Sequence, residues 1–446
     1  MSESPLSNPA FRWLFAAHIC SLVGVGLLTV ALSLAAFRIG GPASGGQVLG
    51  LLFALKMIAY VFCAPLAETA LASIPRKRAM VALDLGRMLL LVPMTLVSQT
   101  WHIGALAFAF FVLAAGFTPL FQSVIPDLLP KEATYTKALT WSRVAYTMEA
   151  VLSPVIAAVL LNVVAGETLF LIAALAFAGS AGALLITRFP PATRQDSNGP
   201  FLRRAGRGLW IYRETPRLRG LFLLNLSLSL AMAWVLVNTV VYAGVRLGDA
   251  ERFFPVLMAF YGLGAVIGAL AIPSLLRRSS DRSVIVSGSL GYAAICAGFA
   301  IMTLPALPVL GAVWIGFGIT SSLVLTPGAL VITRSADQRD RAAVFAAQFS
   351  VSHAGWLVAY PLAGWLASAL SLETALLVLA GISAAVALVA MRVWPADDPL
   401  ERPHTHPDLP DDHPHLREVP SHGPQQRHVH AYHINDLHPG WEGRSI

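Results

Sequence analysis

Residues 12–37 read RWLFAAHICSLVGVGLLTVALSLAAF, a run with one charge at its first position and none after it. A helix rising 1.5 Å per residue needs about 20 apolar residues to cross a bilayer core, so this run is long enough to span one. Eleven further runs follow, near 47–73, 79–98, 101–125, 138–163, 167–188, 219–245, 252–276, 283–303, 307–332, 342–369 and 372–394. Only 12% of the 446 residues are charged and the mean hydropathy is +0.67, whereas a soluble domain carries about 25% charge. The expected fold class is therefore an all-α membrane protein with 12 transmembrane helices.

The basic residues set the orientation. Arg76, Lys77, Arg78, Lys131, Lys137, Arg277, Arg278, Arg282, Arg334, Arg339 and Arg341 fall in alternate loops, and a central segment adds Arg188 to Arg219. The other loops hold only Arg38, Arg246 and Arg252. The positive-inside rule places both termini and the central loop in the cytoplasm of a bacterial-type inner membrane. The formal charge of +7 is thereby accounted for, and no nucleic-acid partner is expected. No basic n-region with a cleavage site precedes the first run. Cys20, Cys63 and Cys296 all lie inside spans and read as packing residues.

The central loop, 189–218, divides the chain into six spans over 1–188 and six over 219–394, with a tail over 395–446. Its Arg-rich second part reads as a short amphipathic helix on the inner leaflet. The halves echo each other. Thr118-Pro119 precedes a charged turn and Pro154, as Thr326-Pro327 precedes a charged turn and Pro361, which fits two six-helix pseudo-repeats.

Charges well inside spans mark the candidate site, because each costs roughly 2.5–3.5 kcal/mol to insert unless it faces the bundle interior. Lys56 lies in the second span, and Arg143, Tyr146 and Glu149 share one broad face of the fifth. Glu149 is read as a proton or cation site, set against a structural ion pair with Arg143 or Lys56. His353 lies at the matching depth of the eleventh span, and His18 near the cytoplasmic end of the first; imidazole suits proton coupling and borderline metals alike. Gln122, Asn225 and Asn238 read as interhelical hydrogen-bonding groups, and Gly264 with Gly268 as a close-packing GxxxG.

Nine of the 12 histidines lie in the tail. His404/His406, His413/His415 and His428/His430 form His-x-His pairs, with His422, His433 and His438 single and Asp408, Asp411 and Asp412 nearby. Side chains at i and i+2 of an extended chain point the same way, so each pair can offer two nitrogens to one ion. The lack of cysteine argues against Cu(I) and leaves nickel, cobalt and zinc. The tail is otherwise rich in Pro and Asp without hydrophobic period, and disorder is expected.

The stretch Ala64-Pro65-Leu66-Ala67-Glu68, then Pro75-Arg76-Lys77-Arg78 and Asp84-Leu85-Gly86-Arg87, resembles the Gly-x-x-x-Asp-Arg-x-Gly-Arg-Arg loop of the major facilitator superfamily, with Glu68 for Asp and Ala64 for the first Gly. Leu55-Lys56-Met57-Ile58-Ala59-Tyr60 and Ala138 to Glu149 are similar to a narrower group, the nickel-resistance-type permeases with His-rich tails. The resemblance implies alternating-access export driven by protons, with gating by Glu68, Arg76, Lys77, Arg78, Asp84 and Arg87. The expected cargo is a divalent metal ion, nickel first. The alternatives are efflux of an organic solute such as a drug or siderophore, and a membrane-tethered metal buffer or sensor. No resident cofactor is expected, and no nucleophile or phosphate loop suggests an enzyme.

Overall fold

The computed structural model describes residues 4–63, 74–189, 201–303, 305–337, 340–404 and 428–441. Helix α1 runs Pro9–Ile58 and continues as a π-helical turn, Ala59–Cys63. It is followed by α2 (Arg76–Met94), α3 (Thr100–Leu128), α4 (Glu132–Leu160), α5 (Thr168–Ile186), α6 (Phe201–Glu214) and α7 (Pro216–Arg246). Then come α8 (Ala250–Leu276), α9 (Asp281–Ala300), α10 (Leu307–Leu325), α11 (Gly328–Ser335), α12 (Arg341–Ala369) and α13 (Leu372–Val393). Two short strands, β1 (Glu401–His404) and β2 (His428–Ala431), close the described chain.

Local chemistry sets the helix ends. The Asn8 side chain accepts from the amides of Ala10 and Phe11, satisfying orphan donors at the start of α1. Its amide also donates to the Leu128 carbonyl, pinning the end of α3. The first two expected spans join in α1, and the chain reverses at Gly41, whose φ of +60° favours glycine, followed by Pro42. The expected tenth span divides at Pro327, which lacks the amide a continuing helix needs. Pro154 and Pro361 sit inside α4 and α12 as expected.

Among the described residues, 8 helices are long and apolar enough to cross a membrane, where the sequence pattern gave 12. One difference is the merger in α1. The others are α2, α4 and α12, which have spanning length but carry more charged or polar groups: Arg76, Asp84 and Arg87, then Lys137 and Glu149, then Gln348 and His353.

Helices α1–α5 pack on one another, and α7–α13 form a second group. The groups meet where α1 packs on α12 and α7, and where α4 packs on α8. That contact is tightest at the Gly41 end. A Cβ on Gly50 would lie 2.5 Å from the Tyr360 carbonyl, and one on Gly364 would collide with the Gly46 carbonyl. Glu251 of α8 also accepts the Gly166 amide there, at 3.3 Å. Gly268 of the GxxxG lets α8 approach α10, where a Cβ would meet the Ile319 carbonyl at 2.7 Å.

One expectation is extended and one corrected. The central-loop helix α6, expected as a basic amphipathic helix on the inner leaflet, also packs on the bundle. It docks along α12, where Arg207 binds Asp340 at 2.5 Å, Tyr212 donates to Gln348, and Gly208 abuts the Ala343 carbonyl. The tail is ordered at its described residues: β1 and β2 pair antiparallel, and Tyr432 and Ile434 are buried. Apolar anchors spaced irregularly among polar residues supply the driving force that composition alone did not reveal.

Candidate functional site

The unusual turn at the end of α1 builds one wall of the site. Lys56 precedes the π-helical turn and Tyr60 lies within it. The Lys56 ammonium stands 5.7 Å from the Tyr60 ring centroid and 5.9 Å from that of Phe111 on α3, a cation–π setting. From α4, Glu149 places its carboxylate within electrostatic range of this ammonium. Glycine at position 26 makes the approach feasible: a Cβ there would collide with Ser153 and lie 2.8 Å from Glu149 Oε1.

The opposite wall is α12. The His353 ring lies 6.3 Å from that of Tyr60, and its Nδ1 bonds the Phe349 carbonyl at 2.7 Å. Tyr360 follows, packed on Trp356 at 4.9 Å and on Phe53 at 5.1 Å, with Tyr146 of α4 within electrostatic range. Lys56, Glu149, His353 and Tyr146 therefore converge between the two helix groups. Tyr146 and Phe349 remain exposed on the side away from Gly41. Arg143 lies on α4, with its side chain outside the described residues. His18 does not join the cluster. It is buried, with its ring stacked on Phe121 at 4.1 Å.

Asp84 and Arg87 sit inside the first group rather than at its rim. Arg87 binds Asp84, donates to Ser21 at 3.2 Å, and lies 4.4 Å and 4.6 Å from the ring centroids of Phe117 and Phe177. Ser180 donates to the other Asp84 oxygen at 2.6 Å. This pair is fully buried and ties α2 to α1 and α5. Among the other loop residues, Arg76 binds Asp127 at 2.5 Å, and Lys77 donates to the carbonyls of Leu185 and Thr187 at the end of α5. Arg78 is exposed, and Glu68 lies outside the described residues.

Of the tail histidines, His406, His413, His415 and His422 lie outside the described residues, as do the side chains of His404 and His428. The strand register sets His404 opposite His428 and Arg402 opposite His430. The His430 and His438 rings lie 5.3 Å apart, and His433 binds Asp337 at 2.6 Å. No cluster of three or more ligating side chains occurs among the described residues. The hydrogen bonds from His433, then Asn435, hold the Asp337 carboxyl down at about 2.

Charge alone could not single out Tyr60, Ser153 and Gly26. Ser153 is one turn from Glu149 and buried, and Gly26 is needed only because α4 approaches so closely. Asn238 bonds across helices to the Ala363 carbonyl, whereas Asn225 bonds back to Leu221 in its own helix, contrary to expectation. A separate cavity of about 320 Å³, lined by Trp234, Tyr242, Arg246 and Phe299, contains none of the converging residues.

The family profile of the Major Facilitator Superfamily matches residues 14–320 and 221–421. The chain belongs to the major facilitator superfamily. The superfamily fold is shared with a point mutant of the nucleoside transporter NupG, at TM-score 0.73 and 13% identity over 86% of this chain and 100% of that one. A bacterial homologue of the human lysosomal transporter Spinster, inward-facing and unoccupied, gives 0.65 and 16% over 86% and 97%. A POT family transporter in complex with a thioalcohol-conjugated peptide gives 0.67 and 12% over 85% and 96%. These likenesses establish the fold of a multi-pass membrane transporter. No curated protein matches the chain.

Proposed function

We propose that this superfamily member is an inner-membrane exporter that exchanges a divalent metal ion, nickel foremost and cobalt or zinc next, for protons. Its twelve spans form two halves, 1–188 and 219–394, with the loop 189–218, the tail 395–446 and both termini in the cytoplasm. The observation that carries this reading is the convergence at Tyr60, whose ring lies 5.7 Å from the Lys56 ammonium and 6.3 Å from the His353 ring of the other half, with the Glu149 carboxylate within electrostatic range of that ammonium. An ionised Glu149 is tolerable beside that ammonium. A proton or a metal cation that neutralises the carboxylate releases Lys56, and cation and proton compete for one group. That competition is the requirement for exchange. Arg143 and Tyr146 precede Glu149 on α4 as further members of the coupling set, and His18 stands apart from them against Phe121.

The interhelical contacts are tight at the Gly41 end, while Tyr146 and Phe349 stay exposed at the other. This supports a state open toward the cytoplasm, where the tail would first meet the ion. The gating set Glu68, Arg76, Lys77, Arg78, Asp84 and Arg87 then acts on the first half from its cytoplasmic side. The reading is tested in inverted vesicles with an imposed pH gradient, by uptake of Ni²⁺, Co²⁺ and Zn²⁺. Gradient-driven uptake that vanishes in Glu149→Ala supports it. Unchanged uptake in that variant removes Glu149 from the mechanism, and the absence of flux for every ion removes metal export.

A second reading, efflux of an organic solute, is favoured by the aromatic groups around the site: Tyr60, Phe111, Phe349, Trp356 and Tyr360. Such a lining suits a drug-sized apolar ligand with one polar anchor. Its signature would be efflux of a lipophilic dye that does not respond to metal.

A further inference from the structure

The described end of the tail is held on the rim of the second helix group by contacts that its histidines themselves make. His433 is the centre. Its Nδ1 meets the Asp337 carboxylate at 2.6 Å, and its Nε2 meets the Arg334 carbonyl at 3.2 Å. Both ring nitrogens are taken up by these oxygen neighbours, so neither faces outward to an ion while the ring is docked. Asn435 donates to the second Asp337 oxygen at 3.0 Å, and Asp436 binds Arg207 of α6 at 3.0 Å. Trp441 lies between two guanidinium groups, Arg402 at 4.5 Å and Arg217 at 5.1 Å from its ring centroid.

His438 is built into the same small unit. It is buried, its Nδ1 bonds Asn435 Oδ1 at 3.0 Å, and its ring packs on Tyr432 at 4.7 Å and on His430. A metal ion needs a neutral imidazole with a free lone pair pointing at it. His433 cannot meet that requirement while it bonds Asp337 and the Arg334 carbonyl. His438 cannot become a solvent-accessible ligand without loosening the packing of Tyr432. Docking and chelation therefore draw on the same side chains.

We propose that residues 428–441 form a metal-released clasp, in which a borderline divalent cation captured by His430, His433 and His438 undocks the tail from the Asp337 turn. The inference rests on the metal reading of the tail. The consequence reaches the transport site through α12. The docked segment braces the turn before α12, and Arg207 links it to Asp340 at the start of that helix, which carries His353. With the clasp closed, the cytoplasmic end of α12 is tied to α6. With it released, the tail's bonds to Arg207 and Asp337 are lost and only the direct α6–α12 contacts restrain that end from moving toward the first helix group. Metal arrival would thus license the closing movement rather than merely raise the local ion concentration.

The test uses the full chain in nanodiscs with Cys20, Cys63 and Cys296 replaced by alanine and nitroxides at Gly440→Cys and Arg277→Cys. Both sites tolerate a label: a Cβ at Gly440 meets nothing within 4 Å, and Arg277 is exposed. Zn²⁺, which is diamagnetic, is the probe. Pulsed dipolar spectroscopy should give one narrow distance without metal and a broad distribution once Zn²⁺ binds. Asp337→Asn removes the charged acceptor from His433 and should lower the Zn²⁺ concentration for release about two- to twelve-fold, the range for one net hydrogen bond. A broad distribution without metal overturns the clasp. A narrow distribution that persists while equilibrium dialysis shows bound Zn²⁺ also overturns it, yet leaves the tail a metal binder. If the tail binds no Zn²⁺, the clasp and the metal reading of the tail fall together, while gradient-driven flux through Glu149 remains a separate measurement.

Discussion

Gly50 offers a direct way to move the chain between its open and closed ends. A Cβ at this position would stand 2.5 Å from the Tyr360 carbonyl oxygen and 3.4 Å from Pro361 Cα. The neighbour is backbone, which cannot rotate away as a side-chain tip would. Keeping the contact in Gly50→Ala requires the two helices to part by about 1 Å or to absorb an overpacking cost of about 1–3 kcal/mol. In a state with the Gly41 end open, α1 and α12 separate and the clash disappears. The penalty therefore falls on one state only and shifts the equilibrium about 5- to 150-fold toward the other. Ala35 is buried near Arg38 and Glu251 at that end and accepts a cysteine with little change in size. In a chain otherwise free of cysteine, the rate at which a membrane-impermeant maleimide labels Ala35→Cys should rise by that factor when Gly50→Ala is added. Gly381→Ala, whose Cβ meets nothing within 4 Å, is the control and should leave the rate unchanged. Equal labelling with and without Gly50→Ala would refute the assignment of the closed end.

Other perturbations give equally definite outcomes. Asp84→Ala leaves the Arg87 guanidinium buried without its carboxylate and should cost about 3–5 kcal/mol, read as a large loss of thermal stability in detergent; Ser180→Ala should cost about 1 kcal/mol. Glu149→Gln keeps the shape of the site but removes the ionisable group, so proton-driven uptake should vanish while the melting temperature stays near that of the parent. The Asp337 carboxyl lies below its ordinary 3.8, at about 2. Its contribution to docking is therefore complete above about pH 4 and is lost as the pH falls toward 2. The dipolar distance distribution should broaden across that window, and not in Asp337→Asn.

The sequence pattern delimited most helices well because bilayer thickness imposes a length on each. Expected 252–276, 342–369 and 372–394 became Ala250–Leu276, Arg341–Ala369 and Leu372–Val393. Lys56, Glu149 and His353 could be chosen for the same reason: a charge or imidazole at mid-span must face inward. The groups that pack around them gave no comparable signal. Tyr60, Gly26 and Ser153 are ordinary residues of apolar spans, and their roles arise from the distance between α1 and α4. The tail misled because composition reports average polarity, whereas Tyr432, Ile434 and Trp441 act as three well-placed anchors. The docking of α6 on α12 was not legible because a basic amphipathic face suits an anionic surface and an acidic turn such as Asp340 equally well.

The π-helical turn at Ala59–Cys63 bears on how this chain should be aligned with its kin. Such a turn accommodates one residue more than a regular helix over the same rise. Lys56 before it stands 5.7 Å from the Tyr60 ring, and Tyr60 within it lies 6.3 Å from the His353 ring. Removing one residue between 57 and 59 would restore α-helical geometry, leave the helix beyond the turn on its present face and move Tyr60 off its place relative to Lys56. A relative with a one-residue gap here would keep the ammonium and lose the aromatic neighbour from the same wall. Alignments that slide the gap into the following loop would hide that difference in the length of a span.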